Sequence, residues 1–240
     1  MILYDEDIAR EIADDFPERV RLAMPKRFAD VAGVILAGGD SRRMGRNKAL
    51  LEVHGERMIE TAYRRMAELF DEVLLITNSP EVYDFIPCRK IADIYPCMGP
   101  LGGIHAALSC CTADRAFVTA CDMPWLNSEL IRELSSMPGG VDVVIPETPG
   151  GLEPLHAVYA KSCLPRMEKV LQAGERRIIS FFDMAQVRLV PCARVAVLDP
   201  DYASFRNINT HEDYQQLAQK IHTQSDLIPD RHSLQENLLA

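Results

Sequence analysis

Short apolar runs alternate with helically spaced apolar positions through the middle of the chain. Residues 31–37 (Val-Ala-Gly-Val-Ile-Leu-Ala), 73–77 (Val-Leu-Leu-Ile-Thr), 116–121 (Ala-Phe-Val-Thr-Ala-Cys) and 141–146 (Val-Asp-Val-Val-Ile-Pro) are mostly apolar and short. Such runs suit strands buried on both faces. Between them, Met58, Ile59, Ala62, Met66 and Leu69 recur at helical spacing. Residues 104–111 read as a short helix, and 126–137 as another, with Asn127 or Ser128 placed to cap it. Strands alternating with helices predict an α/β domain: a parallel sheet with helices on both faces. After Pro149 the pattern loosens. Residues 155–160 predict a strand running antiparallel at the sheet edge. Residues 163–173 predict a helix closed by Gly174. Residues 187–198 read as a strand. Residues 210–221 read as a last helix, with Thr210 and Asp213 spaced like a capping box.

The ends differ in character. Residues 1–30 form an acidic block with a local net charge of −3. Ile8, Ile12, Phe16, Val20 and Leu22 are near-helically spaced and interrupted by Pro17, which predicts one or two amphipathic helices. Residues 221–240 are polar with scattered leucines and read as a mobile tail. The expected organisation is an N-terminal extension (1–30), a main domain (31–220) and that tail.

Composition narrows the function classes. The 240 residues carry 26 Lys and Arg against 35 Asp and Glu, a net charge of −9, which disfavours nonspecific nucleic-acid binding. No apolar run is long enough for a membrane span, and the acidic start lacks the positive charge of a secretory signal. A cytoplasmic location is expected. The seven cysteines form no C-x-x-C and no zinc-finger spacing, so reduced, mostly buried thiols are expected.

Against that acidic background one segment is reversed. Leu36-Ala-Gly-Gly-Asp-Ser-Arg-Arg-Met-Gly-Arg-Asn-Lys48 opens from a buried strand into a glycine-rich loop. Arg42, Arg43, Arg46 and Lys48 are opposed there only by Asp40. Glycines let a polyphosphate approach the backbone, and clustered cations suit a triphosphate or a pyrophosphate leaving group. The segment is neither a Walker A loop nor a G-x-G-x-x-G fingerprint. A solvated basic loop is the alternative. A second apolar run ends at Asp122, before Met123 and Pro124. A carboxylate at a strand's carboxyl end is placed to hold Mg²⁺ against phosphate oxygens, or to cap the next helix. Asp93 precedes Tyr95-Pro-Cys-Met-Gly-Pro-Leu-Gly-Gly103, a second glycine-rich loop opening a helix.

Together these segments resemble the nucleotidyltransferase superfamily that activates small molecules with NTPs. The signature L-A-G-G-x-S-x-R-M-G-x-x-K matches residues 36–48 at every fixed position. The Cys-Asp-x-Pro at 121–124, Leu-Gln-Ala-Gly-Glu-Arg-Arg at 171–177 and Phe-Arg-Asn-Ile-Asn-Thr at 205–210 are similar to molybdenum cofactor guanylyltransferases. The likeness spans about residues 31–220. It implies a three-layer Rossmann-like fold with a mostly parallel central sheet and an antiparallel edge element. It also implies transfer of GMP from GTP to the phosphate of molybdopterin, with pyrophosphate released. Leu36, Ala37, Gly38 and Gly39 are then expected at the guanine nucleotide, Lys48 at its phosphates, and Asp93 at its base or ribose. Asp122 is expected on Mg²⁺. Arg43, Gly99, Gly103, Arg177, Asn207 and Asn209 are expected on the pterin side, with Lys48, Arg43 and Asp122 carrying catalysis. The family's asparagine at the end of the second strand is displaced here to Asn78, which leaves that residue's nucleotide role open.

Other readings stand beside this one. A molybdopterin cytidylyltransferase typically reads L-A-A-G where this chain reads L-A-G-G; Gly38, lacking a methyl, leaves room for a purine. Sugar-phosphate and cobinamide-phosphate nucleotidyltransferases fit the late motifs poorly. A non-catalytic nucleotide-binding module is disfavoured by the presence of Lys48 and Asp122. The N-terminal block is a candidate contact for another cofactor-assembly protein or a molybdoenzyme, or a helix packing on its own domain. His156 is expected to be a satisfied, half-buried residue, Trp125 a packing anchor and Cys121 a core thiol.

Overall fold

A computed structural model of the protein describes residues 27–38, 47–53 and 55–208, with Asp213 and Gln215 beyond them. The strands in chain order are β1 (Val31–Leu36), β2 (Glu52–Val53), β3 (Glu56–Arg57), β4 (Val73–Ile76), β5 (Arg89–Ile91), β6 (Arg115–Ala120), β7 (Val143–Thr148), β8 (Gly151–Leu152), β9 (His156–Ala160) and β10 (Val187–Val190). The α-helices are α1 (Met58–Leu69), α2 (Gly99–Cys110), α3 (Ser128–Ser136), α4 (Leu164–Gln172) and α5 (Cys192–Leu198).

The main sheet runs β10-β7-β9-β6-β1-β4-β5, with β8 folded back on β7. β1 pairs in parallel with β4 and β6, and β4 with β5. β9 is antiparallel to both β6 and β7, and β10 is parallel to β7. β2 and β3 form a separate two-stranded ribbon.

Alternation along the strands assigns side chains to two cores. Ala32, Val34, Leu36, Leu74, Ile76, Ala116 and Val118 face α2 and α4, meeting Ile104, Leu108 and Met167. Val31, Ile35, Leu75 and Phe117 face α1 and α3, meeting Ile59, Met66, Leu130 and Leu134. A one-residue slip of β1 exchanges these two sets, so both layers fix its register. α1 begins where Glu60 Oε2 accepts from the N–H of Arg57 at 3.1 Å; α3 begins at Asn127, whose Oδ1 accepts from the N–H groups of Glu129 and Leu130. Gly174 follows α4 as expected, its N–H donating to Leu171 O at 2.9 Å.

Several expectations are corrected. The strand over 156–160 is antiparallel but lies between β6 and β7, not at the edge. His156, Ala157, Val158 and Tyr159 are all buried, as a strand covered on both faces requires. The stretch 187–198 divides: β10 ends at Val190, Pro191 is the N-cap, and residues 192–198 are helical. α2 starts at Gly99, so the glycine-rich stretch forms its first turns instead of a loop before it. β5, with Arg89 and Lys90, carries no apolar run and was not expected. Of the seven free cysteines Cys111 and Cys163 are buried, Cys88, Cys110, Cys121 and Cys192 are half-buried, and Cys97 is exposed in a turn. The main body already includes Arg27 and Phe28: Phe28 bridges to Phe70, and Arg27 pairs with Asp71 at 3.0 Å. The helices expected within 1–26 lie outside the described residues. So does the helix expected over 210–221, apart from Asp213 and Gln215, which are helical. Among the described residues no helix is long and apolar enough to cross a membrane.

Candidate active site

The sheet order creates the crevice. From β1 the chain moves through α1 to β4 and β5 on one side, then returns through α2 to β6 on the other side of β1. The order reverses between β1 and β6, and the carboxyl ends of strands at such a switch point are where open α/β sheets bind ligands. Leu36, Ala37 and Gly38 arrive at this edge. Ala37 N donates to Ile76 O at 2.9 Å, and Cys121 N donates to Leu36 O at 3.1 Å, so three strand ends are tied together. A Cβ added at Gly38 meets nothing within 4 Å among the described residues. Packing among them therefore gives no reason for glycine there. Gly39 and Arg43 lie outside the described residues.

Lys48 opens a 3₁₀ turn, Lys48–Leu50, whose N-cap Asn47 accepts from Ala49 N at 3.1 Å. Asn47 Nδ2 also donates to the Tyr83 hydroxyl at 2.8 Å, and that hydroxyl lies 3.4 Å from Ala37 O. This relay fixes the start of the Lys48 turn against the end of β1. Asp122 leaves the carboxyl end of β6. Burial pushes its carboxyl above the usual range, and the positive charge of Lys48 pulls it back. The adjacent Cys121 thiol is pushed up to about 12 by burial and by the charge of Asp122, so it is neutral and no nucleophile. Ile208 N donates to Asp122 O at 3.1 Å, which seats the segment carrying Asn207 beside Asp122.

The donor set bears on a metal. Among the described residues no group of three or more His, Cys, Asp or Glu forms a cage. A small hard divalent cation does not need one, because it keeps waters and takes substrate phosphates alongside one or two carboxylates. Asp122, desolvated and opposed by the charge of Lys48, fits that role.

On the far side of β1, Asn78 and Asp93 lock together. Asn78 Nδ2 donates to Asp93 Oδ2 at 2.8 Å, and Asp93 N donates to Asn78 Oδ1 at 3.0 Å. Gly103 faces this pair: a Cβ there lies 3.2 Å from Leu36 Cδ2 and 3.7 Å from Asp93 Oδ1. Leu36, Asn78, Asp93 and Gly103 thus form one cluster. The displaced asparagine orients Asp93, a link invisible in sequence because the two residues are fifteen apart. Gly99, at φ 63°, turns the chain into α2 in the left-handed region that favours glycine.

The remaining candidates are less gathered. Arg177 immediately precedes the 3₁₀ segment Ile178–Met184 and is exposed, with no ion pair among the described residues. Asn207 is exposed beside Asp122, and Asn209 lies outside the described residues. Trp125 packs with Met58, Leu51 and Ile208, as a packing anchor does.

His156 contradicts its expected state. It is fully buried, and neither ring nitrogen has a hydrogen-bond partner among the described residues. Its ring lies edge-on to Phe117 at 4.9 Å and to Phe205 at 5.0 Å. Burial pushes its pKa down to about 3, against the opposing charge of Asp199. The folded value lies below the unfolded 6.5. Stability is therefore full above pH 6.5 and is lost as pH falls through the window down to about 3. His156→Phe is expected to raise stability by roughly 1–2 kcal/mol at pH 7, by removing unpaired buried polar atoms. Between pH 7 and 5 the unsubstituted protein is expected to lose about 2 kcal/mol relative to this variant. Denaturant titrations at the two pH values check both.

A family model for the MobA-like NTP transferase domain matches residues 33–189. The chain is 36% identical over 193 residues to a molybdenum cofactor guanylyltransferase of Desulfosudis oleivorans, covering 80% of this chain and 96% of that one. It is 39% identical over 181 residues to a probable molybdenum cofactor guanylyltransferase of Pelotomaculum thermopropionicum, covering 75% and 88%. Among solved structures it resembles molybdopterin-guanine dinucleotide biosynthesis protein A of Archaeoglobus fulgidus, with TM-score 0.71, 26% identity, and coverage of 80% and 99%. A 4-diphosphocytidyl-2C-methyl-D-erythritolsynthase of Anaerococcus prevotii, at 14% identity and TM-score 0.60 over 84% of this chain and 99% of that one, shares the fold.

Proposed function

The chain belongs to the family of MobA-like NTP transferase domains, and from that membership we propose that it transfers GMP from GTP to the phosphate of molybdopterin, releasing pyrophosphate and forming the guanine dinucleotide cofactor. The observation that carries this reading is the meeting of Lys48 and Asp122 at the switch point between β1 and β6. A cation suited to a polyphosphate and a carboxylate suited to its counter-ion feel each other's charge in this crevice, which supports the reading.

The nucleophile is a phosphate oxygen of the acceptor, ionised at neutral pH, so the site needs no general base. Its task is to bring two anions together, which is positioning and charge neutralisation. Ala37 and Gly38 admit the guanine nucleotide to the backbone. Lys48 holds the phosphates and meets the charge that develops on the departing pyrophosphate. Asp93, oriented by Asn78, takes a donor of the base or ribose. Asp122 would hold Mg²⁺, which when bound supplies positive charge to the phosphate oxygens. Gly39 and Arg43 complete the nucleotide loop, and Gly99, Gly103, Arg177, Asn207 and Asn209 line the acceptor side. The reaction is placed in the cytoplasm, with the cellular GTP pool.

Among the described residues nothing crowds Gly38, which leaves room for a purine there. Gly38→Ala is expected to leave the melting temperature unchanged, because a Cβ there meets no described residue. It is expected to raise KM for GTP roughly tenfold and KM for CTP far less. Steady-state kinetics with both nucleotides checks this.

The assignment itself is tested by pyrophosphate release with molybdopterin present, comparing GTP, CTP and ATP with and without Mg²⁺. A Mg²⁺-dependent preference for GTP supports it. A preference for CTP makes the chain a cytidylyltransferase, and tight nucleotide binding without turnover makes it a binding module.

A further inference from the structure

One carboxylate at the same edge of the sheet has no role in the reaction as described. Glu153 lies between β8 and β9. Its N–H donates to Pro146 O at 3.1 Å, and its carbonyl accepts from His156 N at 3.0 Å, so its main chain is held on both sides. The hydroxyl of Thr148, a buried residue, lies 3.0 Å from Glu153 Oε1 and accepts from Gly150 N at 3.1 Å. That hydroxyl also lies 3.2 Å from Gly151 O, so its one proton serves either acceptor, and the turn from β7 into β8 holds it beside the carboxylate. Oε2 has no partner among the described residues, and no Lys or Arg among them pairs with Glu153. The side chain is half-buried, and burial raises its pKa while the Thr148 bond lowers it.

Register gives its place. Thr119 of β6 pairs with His156 of the antiparallel β9. Glu153, three residues before His156, therefore stands at the carboxyl edge of β6, where Asp122 also emerges. It lies on the β9 and β7 side of β6, across from the β1–β4–β5 half that carries Gly38, Asn78 and Asp93. The half-buried carboxylate gives up part of its hydration, a cost that grows when a ligand covers it, and it repels an incoming phosphate. The cost is offset when a ligand supplies hydrogen-bond donors and no competing acceptor.

A 2-amino-4-oxopteridine ring has such an edge. N3–H and the 2-amino group point the same way, and a carboxylate offers two acceptor oxygens side by side, each with a spare lone pair. We propose that Glu153 reads this edge, accepting from N3–H and the 2-amino group, and so makes the acceptor half of the site specific for a pterin ring. The proposal rests on molybdopterin being the acceptor. Guanine presents the same pair of donors, but it belongs to the opposite half of the crevice.

The test uses two ring probes, 6-hydroxymethylpterin and 6-hydroxymethyllumazine, titrated calorimetrically into the full-length protein. The lumazine carries a 2-oxo acceptor where the pterin carries the 2-amino donor. The unsubstituted protein is expected to bind the pterin at least about tenfold more tightly. Glu153→Gln offers one acceptor and one donor, which suits the lumazine, so the preference is expected to invert. A merely structural role weakens both probes alike. The ratio of GTP to ITP affinity, which reports the 2-amino group of guanine, is expected to stay unchanged in Glu153→Gln, as is the melting temperature. Retention of the pterin preference by Glu153→Gln, equal binding of both probes by the unsubstituted protein, or a changed GTP to ITP ratio overturns the proposal. GMP transfer to molybdopterin by the unsubstituted protein is followed in parallel. If transfer fails while the preference still inverts, ring recognition stands and the acceptor is another pterin. If transfer proceeds and the preference does not invert, Glu153 loses its role and the reaction stands.

Discussion

Asp122→Asn is expected to lower kcat for GMP transfer by about 10²–10³, the range seen when a group that stabilises transition-state charge is removed. Asparagine preserves the shape and the backbone acceptor for Ile208 N, but not the charge. Burial already disfavours the ionised carboxylate in the unliganded protein, and Lys48 only partly compensates. Neutralisation therefore costs the fold nothing, and the melting temperature is expected to hold or rise slightly. The loss falls on turnover and on the Mg²⁺ concentration needed for half-maximal rate, which is expected to rise. Steady-state kinetics over a Mg²⁺ series, beside a thermal melt, separates these effects. More than a tenth of the original kcat at saturating Mg²⁺ removes Asp122 from the metal role.

Lys48→Ala is expected to reduce kcat/KM for GTP by about 10²–10³, roughly 3–4 kcal/mol of transition-state stabilisation. The expected loss appears in both terms, because the role proposed for the ammonium is to bind the phosphates in the ground state and to meet added charge as pyrophosphate departs. Lys48→Arg keeps the charge but replaces a compact ammonium with a planar fork, and is expected to recover only part of the rate. Lys48 and Asp122 sense each other's charge, so the double variant is expected to lose less than the product of the single losses. Strict multiplicativity means that the two residues act separately.

Much of this architecture is legible in the linear pattern. β1, β4 and β6 are short runs bounded by polar or turn residues, and burial on both faces leaves few polar positions to confuse them, Arg115 and Thr119 of β6 being the exceptions. The strand ends they deliver, Leu36–Gly38 and Asp122, were therefore placeable as well. Other features depend on neighbours the chain does not announce. β5 is three residues with Arg89 and Lys90 at a sheet edge, where no apolar signal is required. β9 shows its antiparallel sense through the connections around it, but its interior place follows from β10 joining β7 outside it. The run 187–198 is apolar enough for one strand, and Pro191 was the missed signal, as a residue suited to opening a helix.

The site divides in the same way. Lys48 and Asp122 sit in dense local motifs. The Asn78–Asp93 lock joins residues from two different strand ends, and spacing alone does not pair them. His156 sits in an apolar strand pattern that says nothing about whether its nitrogens find partners, and the surrounding Phe117 and Phe205 supply none. Glu153 looks like a solvated turn residue until Thr148 is found beneath it.

The most direct measurement is to incubate the protein with molybdopterin, Mg²⁺ and GTP labelled at the α-phosphate, then separate the products. Guanylyl transfer puts the label in a guanine dinucleotide form of the pterin, with unlabelled pyrophosphate released in equal amount. Label recovered as free GMP, or a pterin left unmodified while CTP supplies the nucleotide instead, contradicts it.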